Sequence, residues 1–255
     1  MPFIYEQFTY GADNYGVLIH DPVFNQTAMV DAGDSDAALA ALDRNGWKLT
    51  QLWITHHHAD HTAGLLAVKA ATGCHVYGPL EKSKPIAGID QFLGDGHKFD
   101  FAGKDVSVIA TPGHTLDMIN FHIESESVLF VGDTLFVMGC GRLFEGTPAQ
   151  MFDSLAKLAA LPPQTTVYCS HEYSSANAEF AKFVDPKNEA IQSRAVEIAE
   201  LRAANKPTVP TTIARELETN VFLRSHTDSI RRQLNMLEAS DLEVFAKLRA
   251  LKNSF

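Results

Sequence analysis

Four short apolar runs in this chain each end in a cluster of histidine, aspartate or hydroxyl side chains, and this pattern constrains the fold more than any other feature. Leu52-Trp53-Ile54-Thr55 leads into His56-His57-His58-Ala59-Asp60-His61. Val106–Ala110 leads into Thr111-Pro112-Gly113-His114-Thr115, Val128–Val131 into Gly132-Asp133-Thr134, and Thr166–Cys169 into Ser170-His171-Glu172. Runs of β-branched and aromatic residues bounded by turn residues read as strands. In open α/β folds ligands bind beyond the strand ends, where loops converge. Strands that deliver imidazoles and carboxylates to one edge supply what a multi-ligand metal site needs. His56 and His58 are two apart, so an extended loop points them the same way and His57 the other. Gly64 lets the turn after His61 approach a neighbour closely. One metal would take His56 and His58, a second Asp60 and His61, with His114 and His171 completing the shells and Asp133 as bridging carboxylate.

The surrounding chain alternates strand and helix as far as about Ser170. Further strand runs are Tyr15–His20, Thr27–Val30 and Ile119–Ile123. Helices are expected over Ser35–Asn45 with Gly46 as the stop, Thr62–Thr72 ending at Gly73, and Pro148–Leu161. Beyond Ser174 the pattern is helical: Ser174–Val184, Asn188–Asn205, Thr227–Met236 and Ser240–Lys252. This predicts an α/β domain over residues 1–172 and a small helical domain over 173–255.

Charge divides in a similar place. The 255 residues carry a formal charge of −10. Residues 1–180 hold 9 basic against 21 acidic side chains, a net of −12, and residues 181–255 hold 12 against 10, a net of +2. An acidic surface repels phosphate backbones, which argues against a nucleic-acid partner. The N-terminus has neither the cationic region nor the apolar stretch of a secretory signal, and no run reaches the ~20 apolar residues of a membrane helix. Cys74, Cys140 and Cys169 are odd in number, widely spaced and outside any C-x-x-C pair. They read as small buried hydrophobes in a protein of the reducing cytoplasm. His20, His57, His75, His97, His122 and His226 read as ordinary core or surface residues.

The order T-H-x-H-x-D-H, P-G-H-T, G-D-T and a final histidine resembles the metallo-β-lactamase superfamily. Three stretches narrow the likeness to glyoxalase II, the hydroxyacylglutathione hydrolases: Thr55–Gly64; Gly132–Phe136 with Gly139–Gly146; and Cys169–Tyr173. A C-terminal helical region ending in Arg249-Ala250-Leu251-Lys252 adds to it. The resemblance implies an αββα sandwich with a dinuclear site, zinc first and iron or manganese next. His56, His58 and His114 would hold one ion and Asp60, His61 and His171 the other. Asp133 would bridge, and Asp31 would orient a ligand from behind. Asp60 and Asp133 would position the attacking hydroxide. Arg142, Tyr173, Arg249 and Lys252 would contact glutathione. The implied reaction is hydrolysis of S-D-lactoylglutathione to D-lactate and glutathione, the second step of methylglyoxal detoxification, by a cytoplasmic monomer. A lactonase, a β-lactamase and a glutathione persulfide dioxygenase are the alternatives on related scaffolds.

The chain also departs from the family pattern. Asp117 stands where many relatives have glycine, Ala32 where proline is common, Phe144 where some have tyrosine and Arg142 where some have lysine. No G-x-S-x-G elbow is present, and Cys140 has no neighbouring histidine in its motif, so covalent nucleophilic catalysis has no support.

Overall fold

The computed structural model describes residues 2–80 and 84–255, which form two compact units. The first comprises the described residues up to 110 together with 117–132, the second residues 111–116 and 133–255.

In the first unit, strands β1 (Ile4–Tyr10), β2 (Asn14–Asp21), β3 (Gln26–Val30), β4 (Leu49–Trp53), β5 (His75–Pro79) and β6 (Gln91–Leu93) form one sheet in chain order. The first three run antiparallel, and β3 to β6 are mutually parallel. Parallel neighbours need crossovers, and helices provide two of them. Helix α1 (Ser35–Asn45) links β3 to β4. Helices α2 (Ala59–Thr62) and α3 (Leu65–Thr72) link β4 to β5. Asp34 caps α1 by accepting from the amides of Asp36 and Ala37, and Gly46 ends it in a left-handed turn. A second group of antiparallel strands lies in the order β10-β9-β8-β7: β7 (Lys98–Phe101), β8 (Lys104–Ala110), β9 (Ile119–Ile123) and β10 (Val128–Phe130).

Alternation along the strands creates two apolar layers. Leu18, Met29, Leu52 and Val76 meet Ala38, Ala41 and Leu42 of α1 and Leu65 and Val68 of α3. On the other side Trp53, wholly buried, lies among rings from the second group of strands. Its centroid distances are 5.3 Å to Phe99, 5.4 Å to Phe101, 5.5 Å to Phe121 and 6.2 Å to Phe130. Edge-to-face and tilted contacts of this kind add to the area each ring buries.

One expected helix is broken. Of Thr62–Thr72, α3 takes Leu65–Thr72 while Thr62 closes the short α2, and the two are parted at Gly64, whose amide bonds the Ala32 carbonyl at 2.8 Å. A Cβ at Gly64 would press on the backbone of Asp34 and Ser35, so the close approach expected of this glycine is what interrupts the helix.

The second unit contains the two-residue strands β11 (Leu135–Phe136) and β12 (Gly139–Cys140), which pair as a hairpin. Helix α4 (Pro148–Ala159) starts at a capping box between Thr147 and Gln150. There follow β13 (Thr166–Tyr168), α5 (Ser174–Val184), α6 (Glu189–Ala203), β14 (Thr211–Thr212), α7 (Ile213–Thr219), α8 (Asp228–Gln233) and α9 (Asp241–Ser254). Phe152, Phe180, Phe222 and Phe245 join these helices through ring contacts of 5.7 to 6.0 Å. Polar groups then fasten the hairpin to the helices. Asn177 donates to the Val137 carbonyl, Asn220 to the Phe136 and Gly139 carbonyls, and Met138 N–H to the buried Glu216 carboxylate. Burial pushes the Glu216 carboxyl above the usual range, against the donors that hold it. All three cysteines are free and buried, and no described helix is long and apolar enough to cross a membrane.

Truncating the central ring tests the first unit's core. Trp53→Ala is expected to lower stability by about 3–5 kcal/mol, read as a shift of the urea unfolding midpoint.

Candidate functional site

Parallel pairing of β3 and β4 places their C-terminal ends side by side, with Asp31 following one and Thr55-His56 the other. Asp31 adopts φ +59°, a left-handed conformation that aspartate tolerates better than most residues. Its buried carboxylate accepts from the Thr55 amide at 2.8 Å, from Thr55 Oγ1 at 2.9 Å and from His61 Nδ1 at 2.8 Å. These bonds settle the histidine tautomers. A carboxylate only accepts, so His61 carries its proton on Nδ1 and keeps a lone pair on Nε2. Thr55 gives its hydroxyl proton to Asp31 and so accepts from His56 Nδ1 at 3.0 Å, which leaves the His56 lone pair on Nε2 as well.

The freed nitrogens point at further donors. His56 Nε2 is 3.1 Å from His58 Nδ1, and His61 Nε2 is 3.5 Å from Asp60 Oδ2. The His56 and His61 rings are 4.1 Å apart. Tyr10 holds the Asp60 carbonyl at 2.9 Å, and Asn14 donates to Asp60 Oδ2 at 3.2 Å. His57 points elsewhere, with Nδ1 at 2.9 Å from Asp117 Oδ1. The buried Asp117 side chain is thus engaged by His57, and its bulk relative to glycine is accommodated there.

The second unit carries the other three ligand candidates. His114 Nδ1 donates to the Arg142 carbonyl at 2.8 Å, again reserving Nε2 as the lone-pair nitrogen. That Nε2 is 3.4 Å from Asp133 Oδ2, and His171 Nε2 is 3.3 Å from the same oxygen. Gly141 backs this group: its amide bonds the Thr134 carbonyl, and a Cβ there would collide with the main-chain oxygen of Asp133 and crowd the His114 ring. Tyr173 stacks on His171 with ring centroids 4.8 Å apart and planes 3° from parallel.

Within each unit the donor pairs have the spacing that ligands of one ion require, 3.1 and 3.5 Å in the first unit and 3.3 and 3.4 Å in the second. A tetrahedral ion with bonds of about 2.0–2.1 Å separates neighbouring donors by about 3.3 Å, close to the spacings seen in both units. The ring nitrogens of His56, His61 and His114 that face away are tied to Thr55, Asp31 and Arg142, as ligating imidazoles require. Thr55, Tyr10, Asn14 and Gly141 were not singled out from sequence. Thr55 and Gly141 lie within the stretches that carry the resemblance, whereas Tyr10 and Asn14 had no signal.

The proposed glutathione contacts are dispersed along the second unit. The Arg142 guanidinium lies 5.9 Å from the centre of the exposed Phe144 ring. Arg249 is buried, with Nη1 on the Cys140 carbonyl at 2.8 Å and Nη2 on Asn253 at 3.1 Å, over the Phe222 ring at 5.1 Å. Lys252 Nζ donates to the Ala176 carbonyl at 2.7 Å and lies 5.4 Å from the ring centres of Phe180 and Phe255. Burial, with Arg249 nearby, pulls its pKa down to about 8.

Comparison with known proteins bears on both units. Residues 16–171 match the model of the metallo-beta-lactamase superfamily, and residues 172–255 that of the hydroxyacylglutathione hydrolase C-terminus. Hydroxyacylglutathione hydrolase of Brucella anthropi is 51% identical over 98% of this chain and 96% of its own length. That of Mesorhizobium japonicum is 49% identical over 98% of both chains. Among solved structures, ETHE1 from Myxococcus xanthus superposes with a TM-score of 0.68 at 24% identity, over 98% of this chain and 99% of that one. The fold is therefore that of the metallo-β-lactamases with a helical C-terminal region, and its histidine and aspartate clusters imply divalent metal ions.

Removing the carboxylate behind the first cluster releases both His61 and Thr55. Asp31→Ala is expected to weaken metal retention by about 10- to 100-fold in a chelator competition titration.

Proposed function

The chain belongs to the hydroxyacylglutathione hydrolase family of the metallo-β-lactamase superfamily, and on that premise we propose that it hydrolyses S-(2-hydroxyacyl)glutathione, S-D-lactoylglutathione in particular, to the hydroxy acid and glutathione. This is the second step of methylglyoxal detoxification. The observation that carries the reading is the pair of donor clusters on a chain half identical to named hydrolases over nearly its whole length.

In this reading His56, His58 and His114 would hold one divalent ion and Asp60, His61 and His171 the other, with Asp133 as the carboxylate shared between them. Zinc is the first choice and iron or manganese the next. Such ions, when bound, lower the pKa of coordinated water toward 7 and polarise the carbonyl under attack. Asp60 and Asp133 would position the attacking hydroxide. The Asp60 carbonyl and carboxylate are steadied by Tyr10 and Asn14, and Asp133 by the glycine packed against its backbone. Asp31 keeps the His61 lone pair facing inward.

Residues 1–172 would then form the catalytic domain and 173–255 the glutathione-binding domain. Arg142, Tyr173, Arg249 and Lys252 would offer polar and cationic groups to the tripeptide. The partner is a small thioester, with no nucleic acid or membrane, and the protein acts as a cytoplasmic monomer. The net charge of +2 over residues 181–255 suits an anionic tripeptide.

Purified, metal-loaded protein is expected to release free thiol from S-D-lactoylglutathione, followed with a thiol reagent, and chelation is expected to abolish the release. Failure to exceed the chelated control overturns the reading. A second expectation concerns pH. Lys252 has a pKa lowered to about 8, so its cation is present below that pH and is lost as pH rises through it. The kcat/KM for the glutathione thioester is expected to fall above about pH 8 in the wild type. Lys252→Arg, with a guanidinium that stays charged, is expected to flatten that limb of the profile.

A further inference from the structure

We propose that Arg249 is a positioning residue for the hydrolytic site: its guanidinium fixes the Cys140–Arg142 backbone and through it the orientation of His114. Arg249 Nη1 donates to the Cys140 carbonyl at 2.8 Å and approaches the Gly141 carbonyl at 3.5 Å. The next carbonyl along the chain, that of Arg142, takes the Nδ1 proton of His114. Gly141, between the two, is packed so closely on Asp133 and His114 that no side chain fits. Three consecutive peptide units thus form a rigid strip. One edge is held by a buried guanidinium on α9, and the other bears on two proposed ligands.

The arginine is built for this task. It is 6% exposed, lies over Phe222 and has its second amino group on Asn253. A buried guanidinium remains charged and strengthens its bonds to carbonyls. Without it the Cys140 and Gly141 carbonyls would lose their charged donor, and the strip would be held only by its pairing with Thr134 and Leu135. His114 Nδ1 would then lose the acceptor that selects its tautomer, and Nε2 would no longer be held toward Asp133.

The inference deepens the thioesterase reading and rests on it, so the test includes a measurement independent of turnover. Arg249→Ala and Arg249→Lys are compared with the wild type, all loaded with zinc. Each is assayed on S-D-lactoylglutathione and on a lactoyl thioester of a simple thiol that lacks the glutathione tail. The His114 Nδ1–H resonance is recorded in each ¹⁵N-labelled protein. Arg249→Ala is expected to lower kcat about 10- to 100-fold on both thioesters and to shift or broaden the resonance by releasing the Arg142 carbonyl. Arg249→Lys, which keeps a charge and an apolar stem against Phe222, is expected to recover part of both. A rise in KM confined to the glutathione thioester, with kcat on the truncated substrate and the resonance unchanged, would overturn the proposal and leave Arg249 as a ligand for the tail alone. Should the alanine variant fail to fold, the lysine variant decides by the same readings. If the wild type turns over neither thioester, the thioesterase reading fails, and the resonance still decides whether Arg249 orients His114.

Discussion

The carboxylate of Asp31 is the interaction on which the first unit's chemistry depends. It lies where two parallel strands end side by side, and it gathers a backbone amide, a hydroxyl and an imidazole into one buried group. Burying a charge is costly unless its lone pairs are met, and here three donors meet them. The order of donation then propagates outward. Thr55 spends its proton on Asp31, so it can only accept from His56, and both His56 and His61 are left with the same ring nitrogen facing inward. A single buried anion sets two tautomers before any ion arrives.

The second unit reaches a similar arrangement by other means. Behind His114 stands a main-chain carbonyl, and its position is a matter of loop geometry. Loops carry little packing of their own, so this one is fastened from outside. Asn177, Asn220 and Glu216 take up the polar groups of Phe136 to Gly139, and Arg249 takes those of Cys140 and Gly141. The helical region therefore supplies rigidity as well as any contact with substrate.

Much of this was legible in the sequence because local patterning and tertiary demand agree. Ser35–Asn45 and Ser174–Val184 appear with the expected bounds, and Gly46 and Gly73 end their helices in left-handed turns. Strand β1 was missed because Glu6, Gln7 and Thr9 dilute its apolar signal. It is a sheet edge whose pairing with β2 supplies what its composition lacks. Helix α7 spans only seven residues, too short to declare a period, and Thr212 and the contacts of Glu216 define it instead. The ligand candidates were visible because metal chemistry dictates residue type. The groups behind them were less so, since a carbonyl such as that of Arg142 has no residue type at all.

The close packing of Gly141 on Asp133 and His114 has a consequence for how such enzymes diversify. In many folds a specificity loop is a detachable module, exchanged between relatives while the reactive centre stays intact. Here the segment bearing Arg142 and Phe144 is also the back wall of two proposed ligands. On the roles proposed for these residues, a change that re-routes this segment to recognise another thiol would alter the grip on the cation as well. Substrate choice and metal affinity would then be inherited together, and new specificities would be more cheaply found in side chains than in loop length.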